Sequence, residues 1–209
     1  MLVAPCTRPA ARYAVTRWHY SRRMPVGKLA TFGVWEHGRF VGTVIYGRGA
    51  TQRLGSPYSL SQTECVELVR VALTTHATPV TQIIAATLRQ LRAACPGLRL
   101  IVSYADTGQG HHGGIYQAGN WIYTGTTDAS QCYYQVNGQK VHGRTVSSFA
   151  KGKKRPGETG IEYVRRTIDP SAQRIRDIPV KHRYIYPLNR QTRRRVRQFA
   201  KPYPSRPVR

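Results

Sequence analysis

The chain has 209 residues, 40% of them hydrophobic and 10% aromatic, which is enough to bury a core without disulfide or metal staples. Its 33 Lys and Arg stand against 9 Asp and Glu, a net charge of +24, so the expected partner is a polyanion, nucleic acid first, held by contacts that weaken steeply with salt. No apolar run approaches the ~18 residues of a membrane span, Met1 to Pro5 is too short for a signal peptide, and Cys6, Cys65, Cys95 and Cys132 form no C-x-x-C pair; the expectation is a soluble, cytoplasmic protein without membrane contact, zinc ribbon or disulfide framework.

In chain order, residues 8–20 read as an amphipathic helix ending in Trp18-His19-Tyr20-Ser21, followed by a basic loop with Arg22, Arg23 and Lys28. Leu29 to Glu36, a His37-Gly38 turn and Arg39 to Tyr46 predict a hairpin, and 47–63 a polar loop. Glu64 to Leu73 is a strand apolar on both faces, hence central. Strict alternation puts Val69, Val71 and Leu73 on one face, and Val66, Leu68, Arg70 and Ala72 on the other. Thr78-Pro79 offers an N-cap hydroxyl and a first-turn proline for a helix carrying Val80, Ile83, Ile84, Leu88 and Leu91, stopped at Pro96-Gly97. Leu98 to Tyr104 is the next strand, Gly114 to Ala118 a short helix closed by Gly119, and Trp121 to Thr126 a further strand. A second hairpin runs Cys132 to Val136 and Gln139 to His142 around Asn137-Gly138. This order describes an α/β (α+β) fold with a mixed central sheet flanked by helices, its strand-helix-strand centre a right-handed parallel crossover.

From residue 147 the chain reads as a basic extension on a folded domain of residues 1–146. It has a flexible loop with Lys151, Lys153 and Lys154, and then ten Lys and Arg without an acid between Val180 and Arg209. Arg190, Arg193, Arg194, Arg195 and Arg197 suit one short helix held against phosphates, while Tyr184, Tyr186, Phe199 and Tyr203 suggest docking rather than a solvated tail. Arg183 joins the expected phosphate contacts, which position nucleic acid without reading its sequence.

The most informative segment follows the strand that ends at Tyr104: Asp106, then Gln109-Gly110-His111-His112-Gly113-Gly114-Ile115-Tyr116, then Trp121. In open sheets ligands bind outside the carboxyl ends of the strands. Asp106 is the candidate proton acceptor or a structural cap. Tyr116, at the start of the next helix, is either part of the same reaction centre or a packing residue under Trp121. Arg70 in a central strand must be paired or must face a ligand; Glu67 is excluded as its partner by strand parity, and a structural ion pair with Asp106 is the alternative. Tyr20 suits stacking on an extruded base and His19 a proton shuttle, with plain packing as the alternative for both. His111 and His112 with Asp106 would suit iron, although adjacent histidines rarely reach one ion, so no metal is assigned.

With these residues in place, the chain resembles the Mom family of phage DNA-modification proteins. The resemblance is carried by His19-Tyr20-Ser21, Glu67-Leu68-Val69-Arg70, the segment from Asp106 to Trp121, and Lys181-His182-Arg183-Tyr184. It implies a GNAT-like acyltransferase fold with two splayed parallel strands, and transfer of a carbamoylmethyl (acetamido) group to the exocyclic N6 amine of adenine in double-stranded DNA. That product protects phage DNA from host restriction. It also implies a donor site between the splayed strands, around Val71, Leu73, Thr78 and Ser103. GNAT enzymes that use coenzyme A carry a glycine loop after the first splayed strand; Thr74 to Thr81 here has no glycine. The donor therefore stays open between acetyl-coenzyme A and an aminoacyl-tRNA. A non-catalytic nucleic-acid-binding protein is the rival reading.

Overall fold

The computed structural model describes residues 1–49, 51–127, 132–175 and 179–206. In chain order the elements are β1 (Leu2–Pro5), α1 (Arg8–Trp18), β2 (Leu29–Glu36), β3 (Arg39–Gly47), β4 (Cys65–Leu73), α2 (Val80–Ala94), β5 (Leu100–Asp106), α3 (Gly114–Ala118) and β6 (Ile122–Thr126). There follow β7 (Tyr133–Val136), β8 (Gln139–His142), α4 (Gly143–Phe149), α5 (Gly160–Thr167), β9 (Gln173–Ile175), β10 (Lys181–Pro187) and α6 (Arg190–Val196). They fall into two units, one of residues 1–106, 110–125 and 182–209, the other of 107–109 and 126–181. The boundary expected at residue 146 is therefore corrected. The basic C-terminal stretch is not an extension, because β10 inserts between β5 and β6 of the first unit's sheet.

That sheet has the order β1-β2-β3-β4-β5-β10-β6. Its first four strands are antiparallel neighbours, and β4 pairs parallel to β5. The mixed α/β sheet with two parallel central strands is thus present. One face carries the main core, where Val34, Val44, Tyr46, Leu68, Ile101, Trp121 and Tyr184 meet Ile83, Ile84, Leu88 and Leu91 of α2. Side chains of this size contribute ~1.5–3 kcal/mol each when fully buried. On the other face Ala11, Ala14 and Val15 of α1 seal Ile45 and Ala72, while Leu54, Tyr58 and Leu60 cover Cys65, Leu100 and Val102. The polar-looking loop 47–63 therefore supplies core. Helix α1 starts at Thr7, whose hydroxyl accepts the Ala10 N–H, and ends at Trp18 rather than Tyr20.

The start of α2 also differs from expectation. Pro79 is the N-cap residue and Thr78 makes no capping bond. Instead Glu36 reaches across, accepting the N–H groups of Ala77 at 2.8 Å and Thr78 at 2.7 Å. Hydrogen bonds from Thr78 and Ala77 hold the Glu36 carboxyl down at about 2.

The second unit is a small sheet, β8-β7-β9, over a core of Val136, Val146, Ala150, Tyr163, Val164 and Ala172. Asn137 and Gly138 both have positive φ, 47° and 72°, as the expected type I′ turn requires. A capping box, Thr159 with Glu162, starts α5. Among the described residues no helix is long and apolar enough to cross a membrane, and all four cysteines are free thiols.

Candidate active site at a strand fork

The parallel pairing of β4 with β5 runs from Cys65↔Leu100 to Leu68↔Ser103 and stops there, although β4 continues to Leu73 and β5 to Asp106. A bulge explains the parting. Ile45 pairs with Arg70 but the next residue, Tyr46, pairs with Leu68, so Val69 is an extra residue in β4. Bulges bend a strand and re-aim its side chains. Here the bulge reverses the expected alternation. Val66, Leu68, Val71 and Leu73 all pack toward the main core, while Val69 and Ala72 turn toward α1. Past the extra residue Arg70 takes the parity of Ala72, so alternation no longer separates it from Glu67.

The crotch of the fork is tied by side chains. Ser103 Oγ lies 2.8 Å from the Leu68 carbonyl and 2.7 Å from the Tyr116 hydroxyl. Ser103 has a single hydroxyl proton, and a carbonyl can only accept it, so the Tyr116 O–H donates to Ser103 Oγ. Burial pushes the Tyr116 phenol up to about 12, keeping its proton in place at neutral pH.

Beyond the crotch a cavity of about 530 Å³ opens, within the range of small-molecule sites. Residues 18–20 at the end of α1, residues 68–71 of β4, Tyr104, Ala105 and residues 110–116 line it. Arg70 donates Nη1–H to the Val69 carbonyl at 2.7 Å and Nη2–H to the Arg23 carbonyl at 3.5 Å, while its Nε is buried with no hydrogen-bond partner. His19 Nδ1 receives the Ser21 N–H at 3.1 Å and sits 2.8 Å from Ser21 Oγ. Burial, with Arg70 and then His111 nearby, lowers the His19 imidazole to about 4. Tyr20 is 49% exposed, tilts against His19 at 4.3 Å between ring centroids and meets the His111 ring edge-on at 5.5 Å.

The loop over the cavity is held from beneath by Tyr184. Its hydroxyl donates to the His112 carbonyl at 2.6 Å, and Gln117 Nε2 donates to the Tyr184 oxygen at 3.0 Å. Gly113 rests directly on that ring: a Cβ would come within 2.3 Å of it, and the backbone φ of +86° already favours glycine. Tyr116 also packs on Trp121, with centroids 5.1 Å apart. Beyond α6 the chain returns to this region, where the Tyr203 hydroxyl donates to the Trp121 carbonyl.

The cavity brings together His19, Tyr20, Arg70, Val71, His111, His112 and Tyr116, with Ser103 behind Tyr116. Asp106 is not among the lining residues; it ends β5 and its carbonyl accepts the His111 N–H. Leu73 packs in the core, and Thr78 has its N–H bound by Glu36. The described residues contain no group of three or more His, Cys, Asp or Glu placed to hold a metal ion. Trp18, Tyr104 and Ile115 line the cavity without having been expected there.

Of the expected phosphate contacts, Arg22, Arg23, Lys28, Lys151, Lys153, Lys154, Arg193, Arg194 and Arg195 are exposed. Arg183 is corrected. It is half-buried in β10, donating Nε–H to Thr124 Oγ1 at 3.0 Å, so it braces the sheet. Arg195 is partly engaged through the Ser59 carbonyl. A more coherent cationic site lies on the helical stripe Arg190, Arg193, Arg194 and Arg197, which surrounds a cleft of about 470 Å³ floored by Ile122 and Ala200. By contrast, Glu36, Glu64, Glu158, Glu162 and Asp169 each accept backbone N–H groups of turns or helix starts, so most of the described acids are engaged locally.

The fork and its cavity sit on a strongly basic α/β body. The chain belongs to the Mom protein family, whose model matches residues 1–205. It is 27% identical over 204 residues to the methylcarbamoylase mom of Escherichia phage Mu, covering 93% of this chain and 79% of that protein. Among solved structures, an aminoglycoside 6'-N-acetyltransferase from Enterococcus faecium aligns over 90% of this chain and 98% of its own, with 10% identity and a TM-score of 0.40.

Proposed function

We propose that this protein is a DNA-modifying transferase that places a carbamoylmethyl group on the exocyclic N6 amine of adenine, and that the fork cavity is where it does so. Membership of the Mom family over nearly the whole chain carries this reading, together with the name of the phage Mu relative as a methylcarbamoylase. The cavity supplies what the chemistry needs. An adenine amine is a weak nucleophile, so it must be held against its electrophile with proton-handling groups at hand. The target base must leave the stack to be reached, and the exposed Tyr20 ring at the cavity rim is suited to receive it. Tyr116, protonated and buried at the crotch, is the proposed proton donor to the leaving group, its O–H turning from Ser103 Oγ to the ligand as it enters. Asp106, at the end of β5, is proposed as the proton acceptor that enters once DNA is bound.

The donor is proposed to be one that needs no backbone phosphate cradle after β4, and not acetyl-coenzyme A, whose acetyl group also lacks the nitrogen of a carbamoylmethyl group. The support is Glu36, whose carboxylate already takes the Ala77 and Thr78 N–H groups beside the start of α2, where a phosphate would otherwise be favoured. DNA is proposed to run over the Arg190–Arg197 stripe and the exposed lysines, protecting phage DNA from restriction once modified.

Nucleoside mass spectrometry of DNA from cells expressing the chain tests the activity. A deoxyadenosine bearing the mass of one carbamoylmethyl group is expected; unmodified deoxyadenosine alone, from soluble folded protein, would return the chain to a nucleic-acid-binding role.

A further inference from the structure

The hydrogen bonds around His19 fix which of its nitrogens carries the proton. The Ser21 backbone N–H points at Nδ1, 3.1 Å away. A backbone N–H can only donate, so Nδ1 must be the acceptor and cannot hold a proton. The Ser21 hydroxyl, 2.8 Å from the same nitrogen, then donates to it as well. In a neutral ring the proton must sit on Nε2. A second proton on Nδ1 would set two donors face to face, beside the Arg70 guanidinium and the His111 ring that already disfavour the cation. His19 therefore enters the cavity as a fixed N–H donor, with no basic nitrogen free to accept a proton.

Arg70 lines the same cavity. Its two terminal nitrogens are engaged by the Val69 and Arg23 carbonyls, and its Nε–H is buried without a partner. A buried donor left unmade costs roughly 1–3 kcal/mol, so such groups mark places where a ligand completes the site. A ligand atom that takes an N–H from Arg70 and an N–H from His19 together must be an acceptor, and a carbonyl oxygen, with two lone pairs where an unprotonated ring nitrogen has one, can take both. We propose that His19 and Arg70 form a donor pair that grips the carbonyl oxygen of the transferred group, His19 acting as a neutral N–H donor and not as a proton shuttle. This rests on the transferase reading of the cavity, and it replaces the shuttle role expected from sequence.

Substitution by shape distinguishes the two roles. A glutamine amide can place an N–H near the Nε2 position but cannot take up a proton. His19→Gln should therefore keep adenine modification within about tenfold of the parent protein, while His19→Ala loses about 10²–10³-fold, the usual cost of one such donor. Equal loss in both folded variants, or full activity in His19→Ala, overturns the proposal. A second measurement needs no activity and no variant. In the ¹⁵N-labelled parent protein, imidazole nitrogen shifts at neutral pH should report the Nε2–H tautomer for His19. Two other rings serve as internal references: His142, whose Nδ1 accepts the Arg144 N–H, and His76, whose Nδ1 must donate to the Thr74 carbonyl. A His19 signal that matches His76, or an imidazolium, refutes the donor role even if the chain modifies adenine. An Nε2–H signal in a protein that modifies nothing would leave the donor geometry intact and place the error in the transferase reading.

Discussion

In the smaller unit the polar groups that shape its turns are closed on one another. Glu162 takes the Thr159 N–H and hydroxyl, Asp169 takes Asn137 and Ser171, and Glu158 pairs with Arg166 at 2.8 Å. In the larger unit the fork leaves a guanidinium Nε–H buried and open, a histidine N–H aimed by its neighbours, and an aromatic ring exposed at a cavity rim. Both units are cut from the same basic chain, so composition does not separate them. What separates them is that, among the described residues, the fork keeps a buried donor without a partner and the smaller unit shows none. Natural folds break local rules mainly where they act; among the described residues two buried side-chain atoms lack a partner, and Arg70 Nε belongs to this cavity while Tyr58 Oη lies in the core away from it.

The largest effect should come from Arg70→Met. Adenine modification is expected to fall by at least about 10²-fold, yet the unfolding temperature should move by only a few degrees, because methionine fills the space while removing an unsatisfied buried donor. A collapse of folding in parallel with activity would make Arg70 a structural residue and erase the contrast. Gly113→Ala comes next. It forces a β-carbon into the Tyr184 ring at a φ of +86°, which should cost about 1–3 kcal/mol and displace the loop over the cavity. Thermal unfolding and modification should both decline, and an unchanged protein would show that the loop is not held as described.

Thr159→Ala sharpens the comparison from the other side. Losing the helix cap should cost about 1 kcal/mol in denaturant unfolding without a matching change in modification per folded molecule. A loss of activity there would bring the smaller unit into the chemistry. The smallest effect concerns acid. The Glu36 carboxyl is held from its usual 4.5 down to about 2 by Thr78 and Ala77. A depressed carboxylate stabilises the fold fully above pH 4.5 and loses that contribution as the pH falls toward 2. Glu36→Gln should therefore flatten the acid limb of a stability–pH profile in that window and leave the neutral region less affected. A limb identical to the parent's would deny Glu36 its bracing role.

Much of this was legible in the residues. Both hairpins, α2 and α3 follow from periodicity and turn chemistry, and of the Asp106–Trp121 segment residues 110–116 line the cavity. The bulge was not legible. Nothing local in Val69 distinguishes it from its neighbours, and only the pairing with β3 shows that the alternation reverses there. The strand β10 was hidden because its core residues Tyr184 and Ile185 sit among cations, so charge masked a central strand. The Thr159–Glu162 capping box stands in the sequence at its T-x-x-E spacing, directly after a basic run. Glu36 could not be foreseen as a brace, since its partners lie 41 and 42 residues away.

The central claim is that the fork cavity carries out adenine modification. Its most direct test compares deoxyadenosine by mass spectrometry in DNA from cells making the parent chain and cells making Tyr116→Phe, with both proteins shown to be folded and to bind DNA equally. Phenylalanine keeps the ring against Trp121 and leaves Ser103 bonded to Leu68, removing only the proposed proton donor. The account expects abundant carbamoylmethylated deoxyadenosine with the parent chain and a loss of about 10²–10⁴-fold with Tyr116→Phe; equal modification by both proteins would contradict it.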